Sequence, residues 1–299
     1  MKFQIVSDSS CDLSEEFAEK SQITLVSFYV SFDGNTYEKE GKELQIPQFY
    51  QKMAENPNLF PKTSMPSVQD YMDAFLPLVQ KQIPVLCICL NAKFSGSMQS
   101  ALNAREEILE EYPQAQIHVM NSRLVTVLQG QFVEEAILLR DKGYSLKEAV
   151  SLLEDIRDTG YIFFTTKDLS YLEHGGRIGK AAALAGTILN VKPILAYYQQ
   201  ELLPLGFSRG RKKSLKKLFD LFVNYLKENA ITPKEYRIVT GYGYDLSEYH
   251  SFSAQLWELL KKEGFSIEKQ EDHFIGATIG VHTGPYPIGI GVLKRCLPE

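Results

Sequence analysis

Apolar and polar positions along the chain fall into two alternating rhythms. Phe3-Gln4-Ile5-Val6 is a short β-prone run that ends in the polar stretch Ser7-Asp8-Ser9-Ser10. Thr24 to Phe32 is a second β-rich run, closed by the turn signal Asp33-Gly34-Asn35. Pro84 to Leu90 (PVLCICL) is continuously apolar, the pattern of a strand buried on both faces. Ala115 to Met120 reads as another short strand. Helical spacing runs over residues 67–80, 97–111 and 124–141. Strands and helices alternating at this interval predict a mostly parallel sheet covered by helices.

The texture changes near residue 145. Ser145, with Glu148 three residues on, predicts a capping box opening a helix to about 158. Tyr161 to Thr165 predicts a strand. Asn190 to Tyr198 and Leu202 to Phe207 predict two strands joined by the polar turn Gln199-Gln200-Glu201. Helices fit 211–228 and 246–262, and strands fit 235–241, 267–272 and 288–294. The expected fold class is therefore α/β with two domains. Residues 1–158 form an N-terminal, Rossmann-like α/β domain with a mostly parallel sheet. Residues 159–299 form a C-terminal α+β domain with a mixed or antiparallel sheet.

Composition narrows the class. Of 299 residues, 44% are hydrophobic and 23% charged, which excludes a disordered, collagen-like or coiled-coil chain. A formal net charge of −5 argues against a nucleic-acid binder. No apolar run approaches the roughly 20 residues that span a bilayer. The start, MKFQIVSDSS, has no basic segment followed by an apolar one, so no secretory signal is expected. The four cysteines, at 11, 87, 89 and 296, make no CxxC pair, and a reduced cytoplasmic protein is the expectation.

Three polar clusters stand where loops meet element ends. Ser7-Asp8-Ser9-Ser10-Cys11-Asp12 follows the first strand, where open α/β sheets bind ligands, although Ser and Asp also build turns and caps. In Lys62-Thr63-Ser64-Met65-Pro66-Ser67, Ser67 is expected to cap the next helix, leaving Thr63 and Ser64 as exposed hydroxyls beside a helix N-terminus. In Asn91-Ala92-Lys93-Phe94-Ser95-Gly96-Ser97, Ser95 is expected to cap the following helix, and Gly96 lets a ligand approach the backbone. Further on, Leu172-Glu173-His174-Gly175-Gly176-Arg177-Ile178-Gly179 is a glycine-rich break that matches neither a dinucleotide nor a P-loop pattern. Arg209, Arg211, Lys212, Lys213, Lys216 and Lys217 crowd the start of a helix whose other side carries Leu215, Leu218, Phe219 and Phe222. Cations there oppose the helix dipole, which points to an anionic partner. His282 stands in Ile279-Gly280-Val281-His282-Thr283-Gly284-Pro285-Tyr286, read as a glycine-dense loop that exposes the imidazole. The other histidines show no metal-ligand spacing, so no metal is expected.

Taken together these segments resemble the DegV family, bacterial fatty-acid-binding proteins that serve as B subunits of fatty acid kinase. The matching elements are DSSCDL at 8–13, TSMPS at 63–67, FSGSMQSA at 94–101, YLEHGGRIG at 171–179, Lys192-Pro193-Ile194-Leu195, RGRKKSLKKL at 209–218 and IGVHTGP at 279–285. They keep their order over nearly the whole chain. The resemblance implies a two-domain DegV-like fold holding one long-chain fatty acid, such as palmitate or oleate, in a buried tunnel. It implies that Thr63, Ser95 and His282 hold the carboxylate, supported by Ser64, Gly96, Ser97 and Asp8. It further implies that the chain is a cytoplasmic carrier, not itself an enzyme and without cofactor or metal. A separate ATP-dependent, DAK-like kinase A subunit phosphorylates the bound carboxylate to an acyl-phosphate for phospholipid synthesis. Arg177, Arg209, Arg211, Lys212 and Lys213 then face the partner or the developing phosphate. A monomer with transient membrane contact and no nucleic-acid partner is expected. The sequence departs from the family's usual residues at Met65, Phe94, Ser97-Met98 and Tyr286. Ala181 to Gly186, with Ile188, Leu189, Val191, Ile194 and Leu195, either line the acyl chain or form solid core.

Two rival readings rest on the same residues. Ser95, His282 and Asp8 form a serine-hydrolase set if they converge, although no GxSxG elbow is present. A phosphate or nucleotide sensor would use the basic cluster and predicts ATP binding by the isolated chain.

Overall fold

The computed structural model describes residues 3–184, 191–265 and 273–298. The chain divides into two compact units. The first comprises Met1–Gln45 and Pro61–Asp158, the second Ile46–Phe60 and Thr159–Glu299.

In chain order the first half carries β1 (Gln4–Asp8), α1 (Glu15–Lys20), β2 (Ile23–Val26), β3 (Tyr29–Ser31), β4 (Glu38–Lys39), α2 (Ile46–Glu55), β5 (Lys62–Ser64) and α3 (Val68–Val79). There follow β6 (Val85–Cys89), α4 (Ser97–Glu111), β7 (Ile117–Asn121), α5 (Thr126–Asp141) and α6 (Leu146–Ile156). The first unit's main sheet has the order β2-β1-β6-β7, and every pair is parallel. All five residues of β6 are buried, as its unbroken apolar run requires. Val6, Cys87, Cys89, Ile117 and Val119 pack on Tyr71 and Phe75 of α3 and on Ala101, Ala104 and Ile108 of α4.

The run from Thr24 to Phe32 does not form one strand. It breaks at Ser27-Phe28, sending β2 into the parallel sheet and β3 into a small antiparallel sheet of order β4-β3-β5. The capping boxes form as the residues dictate. Ser67 accepts the Asp70 N–H and receives the Asp70 carboxylate on its own N–H, and Ser145 and Glu148 do the same for α6.

The second unit carries β8 (Tyr161–Thr165), α7 (Ser170–His174), β9 (Val191–Tyr198), β10 (Glu201–Arg209), α8 (Arg211–Glu228), β11 (Tyr236–Tyr242), α9 (Leu246–Lys262), α10 (Ala277–Thr283) and β12 (Ile288–Lys294). Its five-stranded sheet has the order β10-β9-β8-β12-β11, antiparallel throughout. The β9–β10 turn places Gln199 and Gln200 at φ of 47° and 65°, the positive values of a hairpin turn. Phe163, Ile194, Ile290 and Val292 point from the sheet into a core with Phe222 of α8 and Leu256 of α9. Ile194 is thus solid core. Ala185, Gly186, Ile188, Leu189 and the strand expected at 267–272 lie outside the described residues.

Helix α2 belongs with the second unit, because Phe49 and Tyr50 pack directly on Gly280 of α10. A Cβ at Gly280 would stand 2.6 Å from the Phe49 ring and 2.8 Å from the Tyr50 hydroxyl. Tyr50 also donates to the Ile275 carbonyl at 2.8 Å. Residues 277–283 are therefore helical, not the loop that their glycines suggest. Gly280 provides close packing, and Gly284, at φ 77°, ends the helix under the Tyr171 ring.

Candidate functional site

Strand order places β1 between β2 and β6, so the chain leaves β1 in one direction and returns to it from the other. The carboxyl ends of β1 and β6 flank the topological switch point, where an open α/β sheet takes its ligand. Asp8 ends β1, and Leu90 to Gly96 form the loop after β6.

Asp8 is fully buried and holds this corner together. Its Oδ1 accepts the Ser10 hydroxyl at 2.6 Å and the Gln129 amide at 2.8 Å, and its Oδ2 accepts the Leu90 N–H at 2.9 Å and the Ser97 hydroxyl at 2.8 Å. Burial raises its pKa above the ordinary carboxylate value, against the opposing effect of these donors. Ser97 in turn meets the Tyr71 hydroxyl at 2.6 Å. Between Leu90 and Ser97 the loop is shaped by buried Asn91, whose side chain accepts the Lys93 N–H at 3.0 Å, and by Asn121, which accepts the Ala92 N–H at 3.3 Å.

Ser95 sits on this loop, half-buried. It does not cap α4; Gly96 takes the N-cap position, one residue later than the sequence suggests. The Ser95 Oγ accepts the Ser97 N–H at 3.1 Å, which leaves its proton unused among the described residues. Thr63, also half-buried, lies on β5 opposite Val30, and its hydroxyl has no hydrogen-bond partner among the described residues. Its strand is tied down through Asp70, which accepts from Tyr29 at 2.9 and 3.0 Å, from Ser67 at 2.6 Å and from Lys39 at 3.1 Å. Burial works against the Asp70 charge, but these donors outweigh it and hold its pKa low.

The two loops meet. A Cβ built on Gly96 would stand 2.6 Å from the Met65 sulfur, so the segment after Thr63 lies against the Ser95 loop. Two hydroxyls, each with a proton unused among the described residues, thus stand near one another beside the switch point. Ser64 is exposed, whereas Ser97 faces inward to Asp8 and Tyr71 and is a support only. Tyr71 and Gln129 escape a sequence reading because each sits at a helix position that looks like ordinary helix face or core.

In the second unit, His282 lies on α10 with its ring against Gly175, where a Cβ would come within 2.1 Å of Nδ1. That nitrogen is buried with no partner among the described residues. Burial, aided by the Arg177 charge, lowers its pKa to about 4, so the imidazole is neutral at pH 7. Arg177 is exposed and donates to the Gly175 carbonyl at 2.8 Å. Arg209, Lys212, Lys213 and Lys216 are exposed at the start of α8, which has no acid in its first turn. Arg211 is held in a forked pair with Glu248, at 2.8 to 3.0 Å.

The hydrolase alternative finds no support here. All four donors to Asp8 come from its own unit, which leaves no bond with which it would orient a histidine. Among the described residues no group of metal-ligating side chains and no membrane-crossing helix is found.

Comparison with known proteins agrees with this architecture. A stearic-acid-binding protein of Eubacterium ventriosum superposes with a TM-score of 0.92 at 39% identity, covering 98% of this chain and 99% of that one. A DegV family protein of Thermus thermophilus, described by its fatty acid binding, superposes at 0.85 with 28% identity over 98% and 100% of the two chains. The DegV domain-containing protein CPE0026 of Clostridium perfringens is 30% identical over 95% of this chain and 94% of its own length. A family model described as "Uncharacterised protein, DegV family" matches residues 2–295, and the chain belongs to the DegV family.

Proposed function

We propose that this chain is a carrier for one long-chain fatty acid. The hydroxyls of Thr63 and Ser95 hold the carboxylate, and His282 is the third head-group residue. The observation that carries the reading is the pair of hydroxyls with a proton free to donate, Thr63 without a partner among the described residues and Ser95 as acceptor only, on two segments in contact through Met65 and Gly96. The fatty acids bound by the Eubacterium and Thermus relatives support it.

The chemistry suits a lipid. Each methylene removed from water contributes about 0.8 kcal/mol, so affinity needs an apolar cavity and only a few donors at the head group. Hydroxyls hold a carboxylate without neutralising it, and a neutral His282 adds no counter-charge. A carboxylate held this way keeps its oxygens available as a nucleophile.

The carrier presents that carboxylate to a separate ATP-dependent kinase subunit, which converts it to an acyl-phosphate for phospholipid synthesis. It works in the cytoplasm as a monomer. Exposed Arg209, Lys212 and Lys213 are the docking charges, with Arg177 toward the phosphate. Native mass spectrometry of protein purified from cells tests the binding step. One long-chain fatty acid per chain is expected. A protein that is empty and fails to bind oleate or palmitate in solution overturns the proposal.

A further inference from the structure

Two cations of the second unit, Arg211 and Lys167, meet Tyr286, and a third, Lys192, is bonded to the Lys167 backbone. The Arg211 Nη2 donates to the Tyr286 carbonyl at 2.9 Å. The Lys167 Nζ stands 6.0 Å from the centre of the Tyr286 ring. The Lys192 Nζ donates to the Lys167 carbonyl at 2.9 Å. The three come from separate elements, since Lys167 follows β8, Lys192 lies on β9 and Arg211 opens α8.

The nearby acids are already committed. Glu248 takes the Nε and Nη2 edge of Arg211. Asp168 accepts both the hydroxyl and the N–H of Ser170. The remaining nitrogen of Arg211, Nη1, is buried and has no partner among the described residues. Lys192 feels the crowding. Burial lowers its pKa, the Arg211 and Lys167 charges lower it further, and Asp168 only partly offsets them. Positive charge collected this way is unfavourable until an anion enters, and the one unpaired arginine nitrogen beside two ammonium groups offers separate donors that suit a tetrahedral oxyanion.

We infer that Lys167, Lys192 and Arg211 form a phosphate-binding site, with Tyr286 as its floor, that takes a phosphate group either free or carried on a lipid chain. Lys167 is exposed and Lys192 half-buried, so the site is open to solvent. Three of its members, Lys167, Lys192 and Tyr286, lie outside the basic segment at the start of α8. The oxyanion site itself does not depend on the carrier function. Only the identification of its natural occupant as an acyl-phosphate rests on that reading.

Titration of the full chain with inorganic phosphate, followed by phosphorus NMR, tests it. Wild-type protein is compared with Lys192→Gln and Lys167→Gln, each checked for native circular dichroism. Saturable binding is expected, with the dissociation constant raised about tenfold in each variant as a charge-assisted bond is lost. Displacement of phosphate by hexadecyl phosphate, but not by palmitate, assigns the site to a lipid-borne phosphate; displacement by neither assigns it to free phosphate. No saturable binding by wild type, or binding as tight as wild type by both variants, overturns the inference. Palmitate binding on the same samples separates the two readings. Palmitate without phosphate removes this site alone, and phosphate without palmitate removes the carrier alone.

Discussion

Ser97 donates its hydroxyl to the Asp8 carboxylate across 2.8 Å, joining the end of the first strand to the first turn of α4. The other bond to the same Asp8 oxygen comes from the Leu90 N–H, at the near end of the loop that carries Ser95. One carboxylate oxygen therefore clamps both ends of that loop. Both partners are wholly buried, so water cannot replace a lost bond.

Asp8→Asn keeps the shape but puts an amide, with its own N–H groups, among four donors. At least one buried donor is left without an acceptor, and the fold should lose about 1–3 kcal/mol. Urea melts measure this, and palmitate affinity should fall with it as the loop loosens. A variant with wild-type stability and affinity would show that the clamp does not hold the loop.

Ser95→Ala separates the head-group contact from the scaffold. The Ser95 Oγ accepts only the Ser97 N–H within its own unit, so the fold should survive its removal. Loss of one charge-assisted bond to a carboxylate should weaken fatty-acid binding by about 1.5–3 kcal/mol. A fluorescent fatty-acid displacement assay reads the change. Unchanged affinity would place the head group elsewhere.

Acid should weaken the fold through His282. Its folded pKa is lowered to about 4, below the ordinary imidazole value, so the unfolded chain takes up the proton first. The contribution is intact above pH about 6.5 and disappears as the pH falls toward 4. Across that window it amounts to as much as about 3 kcal/mol. Urea melts at pH 8 and pH 5 should therefore show a smaller acid loss in His282→Gln than in wild type. Carboxylates titrate alike in both proteins and cancel. Equal losses would mean that His282 is not buried in its neutral form.

Much of this was legible in the chain. The unbroken PVLCICL run gave away the central buried strand, and Ser145 with Glu148 marked the start of α6 because a capping box is a purely local bond pattern. Thr63 and Ser95 are singled out only by the resemblance to the DegV family, since hydroxyls beside a helix start are by themselves commonplace turn and cap residues. What failed was non-local. Gly280 reads as a loop former until Phe49 and Tyr50, more than 200 residues away, require its missing side chain for packing. Asp8 reads as a turn residue or a catalytic orienter until Gln129, Leu90 and Ser97 account for its oxygens. Arg211 reads as one cation among six, yet Glu248 holds it.

The exposed lysines of α8 test the partner step separately from the lipid step. Lys212, Lys213 and Lys216 project to solvent, whereas Lys217 folds back over β10, its Nζ 3.4 Å from the Phe207 carbonyl. None of the three exposed lysines makes an ion pair among the described residues, so charge reversal removes no internal contact. Three cations in the first two turns also oppose the helix dipole, and acids there are favourable by roughly 0.3–1 kcal/mol each. The Lys212→Glu, Lys213→Glu, Lys216→Glu variant should thus be at least as stable as wild type and bind palmitate equally well. Its kinase-dependent conversion of the bound fatty acid should nonetheless fall by about tenfold or more, with a weaker dependence on salt, because an attraction that steers docking has become a repulsion. Chromatographic assay of acyl-phosphate formation, trapped with hydroxylamine, reads that rate. Normal turnover in a folded, lipid-loaded triple variant would reduce the lysines to a solvated helix face.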